Sequence, residues 1–196
     1  MKKIVIASNN SGKLREFAAL LRPFDFEALP QSAFGVTEAD EPHETFVENA
    51  FVKARHAARA TGLPALADDS GICAMALNGA PGVYSARYAG EPKSDIRNNE
   101  KLVAELASHQ DRRAFYYCAL VLVMRADDPR PLIADGEWHG EIIDLPHGAG
   151  GFGYDPYFFL PEYQFTAAEL PADIKNRVSH RGIAMQSLAE KLQARG

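Results

Sequence analysis

Two adjacent carboxylates stand inside the stretch Leu-Ala-Asp-Asp-Ser-Gly-Ile, which occupies residues 66–72. Neighbouring carboxylates repel each other unless a cation or a proton is shared between them. Because hard Mg²⁺ prefers carboxylate oxygens, Asp68 and Asp69 are candidate metal ligands. Asp-Ser-Gly is also typical of a polar turn between two strands. This stretch alone favours the turn and leaves the metal site open.

A polar loop near the start of the chain is the second candidate. Residues 8–13 read Ser-Asn-Asn-Ser-Gly-Lys and stand between a β-branched run and a helical pattern. N–H groups at a helix N-terminus attract anions, and Lys13 adds a positive charge for phosphate. Ala7 and Leu14 stand where a Walker A loop needs glycine and serine or threonine, so that motif is excluded. Phosphate binding and an ordinary polar loop both remain open.

Two segments in the last third of the chain carry further polar and aromatic groups. Residues 148–156 are rich in glycine, which lets a backbone approach a ligand closely, and they include rings suited to stack on a base. Residues 179–182, Ser-His-Arg-Gly, offer a hydroxyl, an imidazole and a guanidinium. A long hairpin loop and a capped helix with surface charges are the simpler explanations when each segment is taken alone.

The elements around these residues alternate as in an α/β protein. Apolar periodicity predicts helices over residues 14–21, 44–61 and 94–107, and a final helix after Ser179. Strands are predicted over residues 3–8, 63–68, 72–77, 115–125 and 132–143, the last two as a long hairpin. Lys53 lies beside the apolar face of the second helix, where it either covers apolar surface or reaches into a cleft. Thr-Ala-Ala-Glu at residues 166–169 has the form of a capping box.

Composition bounds the class of protein. The chain of 196 residues fits one domain, or one domain with two lobes, and its formal net charge of −5 gives no indication of a general nucleic-acid binder. Both cysteines, Cys73 and Cys118, lie in apolar runs, which predicts buried reduced thiols in a cytosolic protein. The sequence offers no signal peptide, no membrane span and no histidine spacing typical of zinc.

Taken together, these segments resemble the inosine triphosphate pyrophosphatase family, whose members are also called XTP/dITP diphosphatases. No single segment is specific, but they follow the family's order and cover nearly the whole chain. They comprise residues 8–13 with Glu16, Glu41 with residues 45–50 and 53–54, and residues 67–71, 79–87, 151–156 and 179–182.

The resemblance implies a fold and an activity. The expected fold is a single α/β domain over residues 1–196, with a long twisted mixed β-sheet flanked by helices and two lobes around a nucleotide cleft. The expected reaction is Mg²⁺-dependent hydrolysis of ITP, dITP or XTP to the nucleoside monophosphate and pyrophosphate, which keeps these nucleotides out of DNA and RNA. A cytoplasmic homodimer without nucleic-acid or membrane partners is also implied.

The resemblance also implies roles for individual residues. Asp69 is expected to be the proton acceptor and a metal ligand, and Glu41 the second metal carboxylate, with Glu44 as the alternative. Hydrogen-bond donors, either backbone N–H groups or the side chains of His180 and Arg181, are expected to favour the O6 atom of an oxo purine. The full set expected to bind substrate is Ser8, Asn9, Asn10, Ser11, Gly12, Lys13, Lys53, Ser70, Phe152, Gly153, Tyr154, Asp155, Lys175, His180 and Arg181.

Two rival classes of protein are compatible with parts of the pattern. A Mg²⁺-dependent phosphomonoesterase of the haloacid dehalogenase type would use Asp68 or Asp69 as its nucleophile, but such enzymes carry a DxD motif near the N-terminus. A non-catalytic nucleotide-binding module would bind triphosphate without turnover, although a passive site for phosphates gains little from acidic residues. The products of the reaction distinguish these alternatives.

Overall fold

The computed structural model describes residues 1–195, with Ser11 described by its backbone only. Its strands are β1 (Lys2–Ile6), β2 (Phe26–Pro30), β3 (Ala65–Ala74), β4 (Arg113–Val123), β5 (Leu132–Ile142), β6 (Phe158–Leu160) and β7 (Phe165–Thr166). Its α-helices are α1 (Ser11–Leu21), α2 (Phe46–Thr61), α3 (Asp95–Leu106), α4 (Ala172–Val178) and α5 (His180–Arg195).

The strands form one seven-stranded sheet in the order β2-β1-β3-β4-β5-β6-β7. Strand β1 pairs in parallel with β2 and with β3, whereas β6 pairs antiparallel with both β5 and β7. The sheet is therefore mixed, and the predicted α/β class with a mixed sheet and flanking helices is confirmed.

The chain divides into two compact units. The first comprises residues 1–69, 118–136 and 181–196, and the second comprises residues 70–117 and 137–180. Strands β3, β4 and β5 each contribute residues to both units.

In the first unit, alternation along the strands separates two apolar layers. Ile6 on β1 and Leu66 on β3 join a fully buried cluster that includes Phe17 of α1 and Leu188 of α5. The intervening residues of the same strands, among them Val5, Ala65 and Ala67, pack in a second cluster with Ala50, Ala54, Ala57 and Ala58 of α2. Because successive side chains of a strand point to opposite faces, α1 and α5 cover one face and α2 covers the other.

The turn predicted at Asp-Ser-Gly is wrong, because this segment lies inside strand β3. The structure has one continuous strand from Ala65 to Ala74 where two strands and a turn were predicted. All but Ser70 of its residues are buried, including Asp68 and Asp69. Turn-forming residue types are therefore present without a turn, because the strand is covered on both faces and each acid finds a partner there.

The second unit has its own apolar core. Ile72 and Ala74 of β3 pack in one cluster with Leu102 and Leu106 of α3 and with aromatic residues of the later strands, namely Tyr116, Trp138 and Phe158. Leu102, Leu106 and Phe158 are fully buried. Helix α3 is thus fixed by its apolar face, which leaves its first turn to make polar contacts.

Several helix boundaries match the prediction because capping residues set them. Thr45 caps α2 through a hydrogen bond from the Glu48 N–H, and Ser94 caps α3 in the same way from Arg97. Gly62 ends α2 in the left-handed conformation at φ 70°. The capping-box pattern at residues 166–169 makes its hydrogen bond, from the Thr166 N–H to Glu169, but α4 begins only at Ala172.

Both cysteines are free and buried, as predicted. Burial raises the pKa of Cys73 to about 11 and that of Cys118 to about 12. Among residues 1–195, no helix is long and apolar enough to cross a membrane.

Candidate active site

Asp68 and Asp69 point to opposite faces of β3 and therefore have separate partners. Asp68 follows Leu66 on the face covered by α1 and α5, and Asp69 follows Ala67 on the face covered by α2. The repulsion expected between neighbouring carboxylates is thus relieved by two different cations. We define the carboxylate cluster as Glu16, Glu41, Asp68 and Asp69 with the cations Lys13, Lys53 and Arg181.

Asp69 shares the ammonium group of Lys53 with Glu41. Lys53 Nζ lies 3.1 Å from Asp69 Oδ1 and 2.6 Å from Glu41 Oε1. Asn49, four residues before Lys53 on α2, donates from Nδ2 to Asp69 Oδ2 at 3.3 Å. Burial raises the pKa of Asp69, Lys53 opposes that rise, and the charge of Glu41 adds to it, so the net shift is upward. Both oxygens of this carboxylate are thus held, one by Lys53 and the other by Asn49.

Asp68 is held as an ion pair on the other face. Lys13 Nζ lies 2.7 Å from Asp68 Oδ2, and Arg181 Nη2 lies 3.9 Å from the same oxygen. Burial alone would raise the pKa of Asp68, but Lys13 and Arg181 together hold it well below its usual range. Arg181 is also paired with Glu16 on α1 at 3.3 Å. Asp68 therefore fixes two cations, whereas Asp69 shares one cation with Glu41.

The first polar loop is capped from within. Asn10 Oδ1 accepts hydrogen bonds from the N–H groups of Gly12 and Lys13, at 2.9 and 3.1 Å. Ser8 Oγ accepts from the Asn10 N–H, and Asn9 donates to Glu38. Two of the helix N–H groups expected to attract phosphate are thus satisfied by Asn10, and Lys13 is the residue of the loop that joins the carboxylate cluster. The side chain of Ser11, a predicted site residue, lies outside the described part of the chain.

Glu41 and Asp69 suit a hard cation by their chemistry. Two carboxylates converge on one ammonium group, and both are oxygen donors of the type that Mg²⁺ prefers. Glu44, the alternative to Glu41, is exposed, and none of the described contacts brings it to Lys53. No group of three or more His, Cys, Asp or Glu side chains is assembled for a metal among the described residues. Phosphate oxygens and water would complete the six-oxygen coordination that Mg²⁺ requires.

In the second unit, Asp155 organises the aromatic loop, which we define as residues 151–155. Its Oδ2 accepts from the Phe152 N–H at 2.8 Å and pairs with Lys175 Nζ at 2.5 Å. The Lys175 ammonium also lies 5.7 Å from the centre of the Phe152 ring. Phe152 itself is 59% exposed, whereas Tyr154 and Asp155 are buried. The loop thus presents one aromatic ring to the outside above a buried ion pair.

Tyr116 of β4 links this ion pair to His180. Its hydroxyl donates to Asp155 Oδ1 at 3.3 Å, and its ring stacks on the imidazole of His180 at 4.7 Å with an angle of 10° between the planes. Burial, reinforced by the charge of Asp155, raises the pKa of Tyr116 well above its usual value, so the hydroxyl stays protonated and donates. The predicted residues Asp155, Lys175 and His180 are therefore connected through a residue that was not predicted.

The structure brings the predicted residues together in two groups. Glu41, Lys13, Lys53, Asp69 and Arg181 meet in the first unit, and the aromatic loop, Lys175 and His180 meet in the second. Ser70 is half-buried on β3, directly after Asp69. Three contributing residues were given no role: Asn49 and Glu16, although both belong to the segments that carry the family resemblance, and Tyr116, for which the sequence gave no signal.

Comparison with known proteins identifies the family of the chain. The Ham1 family matches residues 4–191, and the chain belongs to it. A HAM1 protein from Coxiella burnetii superposes with a TM-score of 0.95, at 49% identity, over 99% of this chain and 100% of that chain.

The resemblance to XTP/dITP diphosphatases is confirmed at higher identity by individual relatives. A protein named dITP/XTP pyrophosphatase from Aromatoleum aromaticum is 65% identical over 190 residues, covering 97% of this chain and 96% of that protein. One of the same name from Nitrosomonas europaea is 64% identical, covering 98% and 95%.

Proposed function

We propose that the chain is a nucleoside triphosphate pyrophosphohydrolase that acts on dITP, ITP and XTP and releases the nucleoside monophosphate and pyrophosphate. Relatives named dITP/XTP pyrophosphatase match nearly its whole length at up to 65% identity. The observation that carries the proposal is the separation of the two acids on β3, because it leaves Asp69 as a buried base beside Glu41 and Lys53.

Asp69 acts in the proposed reaction as the proton acceptor. A water oxygen forms a bond to the α-phosphorus, the bond from that phosphorus to the bridging oxygen of the β-phosphate breaks, and the water proton passes to the Asp69 carboxylate. Pyrophosphate leaves with the bridging oxygen. The position of Asp69 suits this role, because Lys53 and Asn49 each hold one of its oxygens and so fix the direction of the carboxylate.

The cations of the carboxylate cluster hold the triphosphate. Lys13 and Lys53 each have a side chain that is at least partly buried, and each already contacts a carboxylate. A polyanionic substrate that displaces part of those contacts gains charge-assisted hydrogen bonds. The overall negative charge of the protein makes such a local group of cations necessary.

Magnesium is the cofactor that this donor set fits. Glu41 and Asp69 would hold it, and bound Mg²⁺ neutralises charge on the phosphate oxygens. Lys53 contacts both carboxylates and holds them close to each other.

The aromatic loop and its neighbours are proposed to bind the purine. The exposed ring of Phe152 offers a surface for stacking, and His180 and Arg181 offer donors to O6. Arg181 Nε is buried and has no hydrogen-bond partner among the described residues, which leaves a donor for a ligand acceptor. An amino group at position 6, as in adenine, would leave such donors unsatisfied, and this mismatch disfavours ATP.

A hydrolysis assay tests the proposal. The purified chain is incubated with ITP, dITP, XTP, GTP or ATP, with Mg²⁺ or with excess EDTA, and both phosphate products are quantified. We expect pyrophosphate and monophosphate from the first three substrates, dependent on Mg²⁺. Release of orthophosphate would instead indicate a phosphomonoesterase, and binding of ITP without turnover would indicate a nucleotide-binding module.

We also propose that the protein is a cytoplasmic homodimer. Two buried, reduced cysteines fit a reducing compartment. Light scattering on the eluted protein would measure a mass near twice 21.5 kDa for the dimer. A mass of one chain at micromolar concentration would contradict it.

A further inference from the structure

The residue at the centre of the aromatic loop, Gly153, is held on both sides by helix α3. Its N–H donates to Asp95 Oδ2 at 2.8 Å, and its carbonyl oxygen accepts from Asn99 Nδ2 at 2.9 Å. Asp95 and Asn99 are four residues apart, so they lie on the same side of α3, one turn from each other. Together they form a clamp on the two peptide groups that flank one residue.

Asn99 has one buried polar atom without a hydrogen-bond partner, and its part in the clamp accounts for an amide at this position. It is 4% exposed, and its Nδ2 donates both to the Gly153 carbonyl and to the Asp95 carbonyl. Its Oδ1 is buried without a partner among the described residues. A buried polar atom without a partner is destabilising, and an apolar side chain of similar size would avoid that cost. The amide is therefore at this position for its two donors.

Gly153 marks the point at which the loop changes from exposed to buried. Its φ of +62° is the left-handed conformation that favours glycine. Phe152, before it, is 59% exposed, whereas Tyr154, after it, is 4% exposed and donates from its hydroxyl to the Ser85 carbonyl at 2.8 Å. Tyr154 is thus fixed within the core, and the direction in which Phe152 leaves the core is set by the clamp together with the Asp155 carboxylate that accepts from the Phe152 N–H.

We propose that Asp95 and Asn99 are positioning residues for nucleotide binding, because they hold the Phe152 ring where it stacks on the purine. This role rests on the proposed function. Among the described residues, the hydrogen bonds of Asp95 and Asn99 reach Gly153 and α3 itself and no member of the carboxylate cluster, so their loss should raise KM and leave kcat nearly unchanged. It should do so for every purine triphosphate alike, because stacking does not depend on the group at position 6.

Asp95→Leu and Asn99→Leu test the proposal against two matched variants. Asp95→Asn keeps an acceptor oxygen for the Gly153 N–H and should restore most of the affinity. Ser94→Ala removes the helix cap one residue away, so it lowers the stability of α3 without touching Gly153. We expect KM for ITP to rise at least about tenfold in both leucine variants, with kcat within about twofold of wild type and with Ser94→Ala near wild type in both.

Hydrogen exchange of the loop provides a readout that needs no substrate. In Asp95→Leu the Gly153 amide should exchange at least about tenfold faster than in Ser94→Ala, because its acceptor is gone. Unchanged exchange would overturn the clamp itself. Faster exchange with an unchanged KM for ITP would overturn its role in nucleotide binding. If the wild-type protein hydrolyses no purine triphosphate, the proposed function fails, and this role fails with it.

Discussion

The carboxylate cluster and the aromatic loop are built by different means. In the cluster, charged side chains from separate elements hold one another, as Lys53 holds both Glu41 and Asp69. In the aromatic loop, side chains hold backbone groups: Asp155 binds the Phe152 N–H, and α3 binds both peptide groups of Gly153. The function of the carboxylate cluster should therefore be sensitive to the removal of a charge, and that of the aromatic loop to a change in side-chain shape. Substitutions that change one property at a time can separate the two.

The largest effect is expected from Asp69→Asn, which keeps the shape of the side chain and removes the base. General-base catalysis contributes about 10²–10⁴-fold, so kcat for ITP should fall by at least that factor. Asp128→Asn is the matched control, because Asp128 is a buried acid of the same unit whose partners are the N–H groups of Met124 and Arg130. Its turnover should stay near wild type. Near wild-type hydrolysis of ITP by Asp69→Asn would remove the proton-acceptor role.

Gly151→Ala should have the next largest effect, although it changes no charge. A Cβ atom there would overlap the Asp155 carboxylate and come within 2.8 Å of Lys175 Nζ, at a φ of +73°. We expect KM for ITP to rise on the order of 100-fold because the ion pair beneath Phe152 must move.

Gly62→Ala controls for backbone strain alone. Gly62 has a similar φ of +70°, and a Cβ atom added there would meet nothing within 4 Å. This variant should lose about 1 kcal/mol of unfolding free energy and keep its KM. If Gly151→Ala and Gly62→Ala behave alike in the hydrolysis assay, nucleotide binding does not depend on the shape of the aromatic loop.

Sequence reasoning named most residues that the structure groups in these two regions, although not Tyr116, Asp95 or Asn99, and it did not predict how they are held. The order of elements followed from apolar periodicity and from capping residues such as Thr45 and Gly62, which act locally. The continuity of β3 did not follow from local sequence, because Asp-Ser-Gly forms a turn or a strand according to the elements that pack over it. The partners of Asp68 lie on α1 and α5, at positions distant in sequence. Such long-range pairing is absent from any local pattern.

Lys13→Ala and Lys53→Ala should each weaken binding of ITP more than binding of IMP. Both ammonium groups are placed among carboxylates in the first unit, where the triphosphate is proposed to lie. Loss of a charge-assisted contact costs about 1.5–3 kcal/mol. Titration of each variant with IMP and with a non-hydrolysable analogue of ITP measures the difference.

Lys191→Ala is the control. The exposed ammonium of Lys191 donates to the Ile133 carbonyl, so this variant should bind both ligands as wild type does. Equal losses for the two ligands would place these lysines away from the β- and γ-phosphates.

The smallest effect is expected at Arg181. This residue belongs to the first unit, and it is proposed to donate a hydrogen bond to the purine base. Its guanidinium is buried, is paired with Glu16 and Asp68, and retains Nε without a partner among the described residues. A guanidinium only donates, so it rewards an acceptor such as O6 and gives nothing to an amino group. Arg181→Ala should therefore lower kcat/KM more for ITP and XTP than for ATP. The difference should correspond to about 1–3 kcal/mol of activation free energy. Arg181→Lys keeps the charge and loses the planar fork, so it should recover little of the selectivity.

If Arg181 instead serves the phosphates through its contact with Asp68, the alanine variant would lose activity on ITP, XTP, GTP and ATP by one common factor. An ITP-to-ATP ratio equal to that of wild type would then assign Arg181 to phosphate binding and leave the selection of the base to other residues.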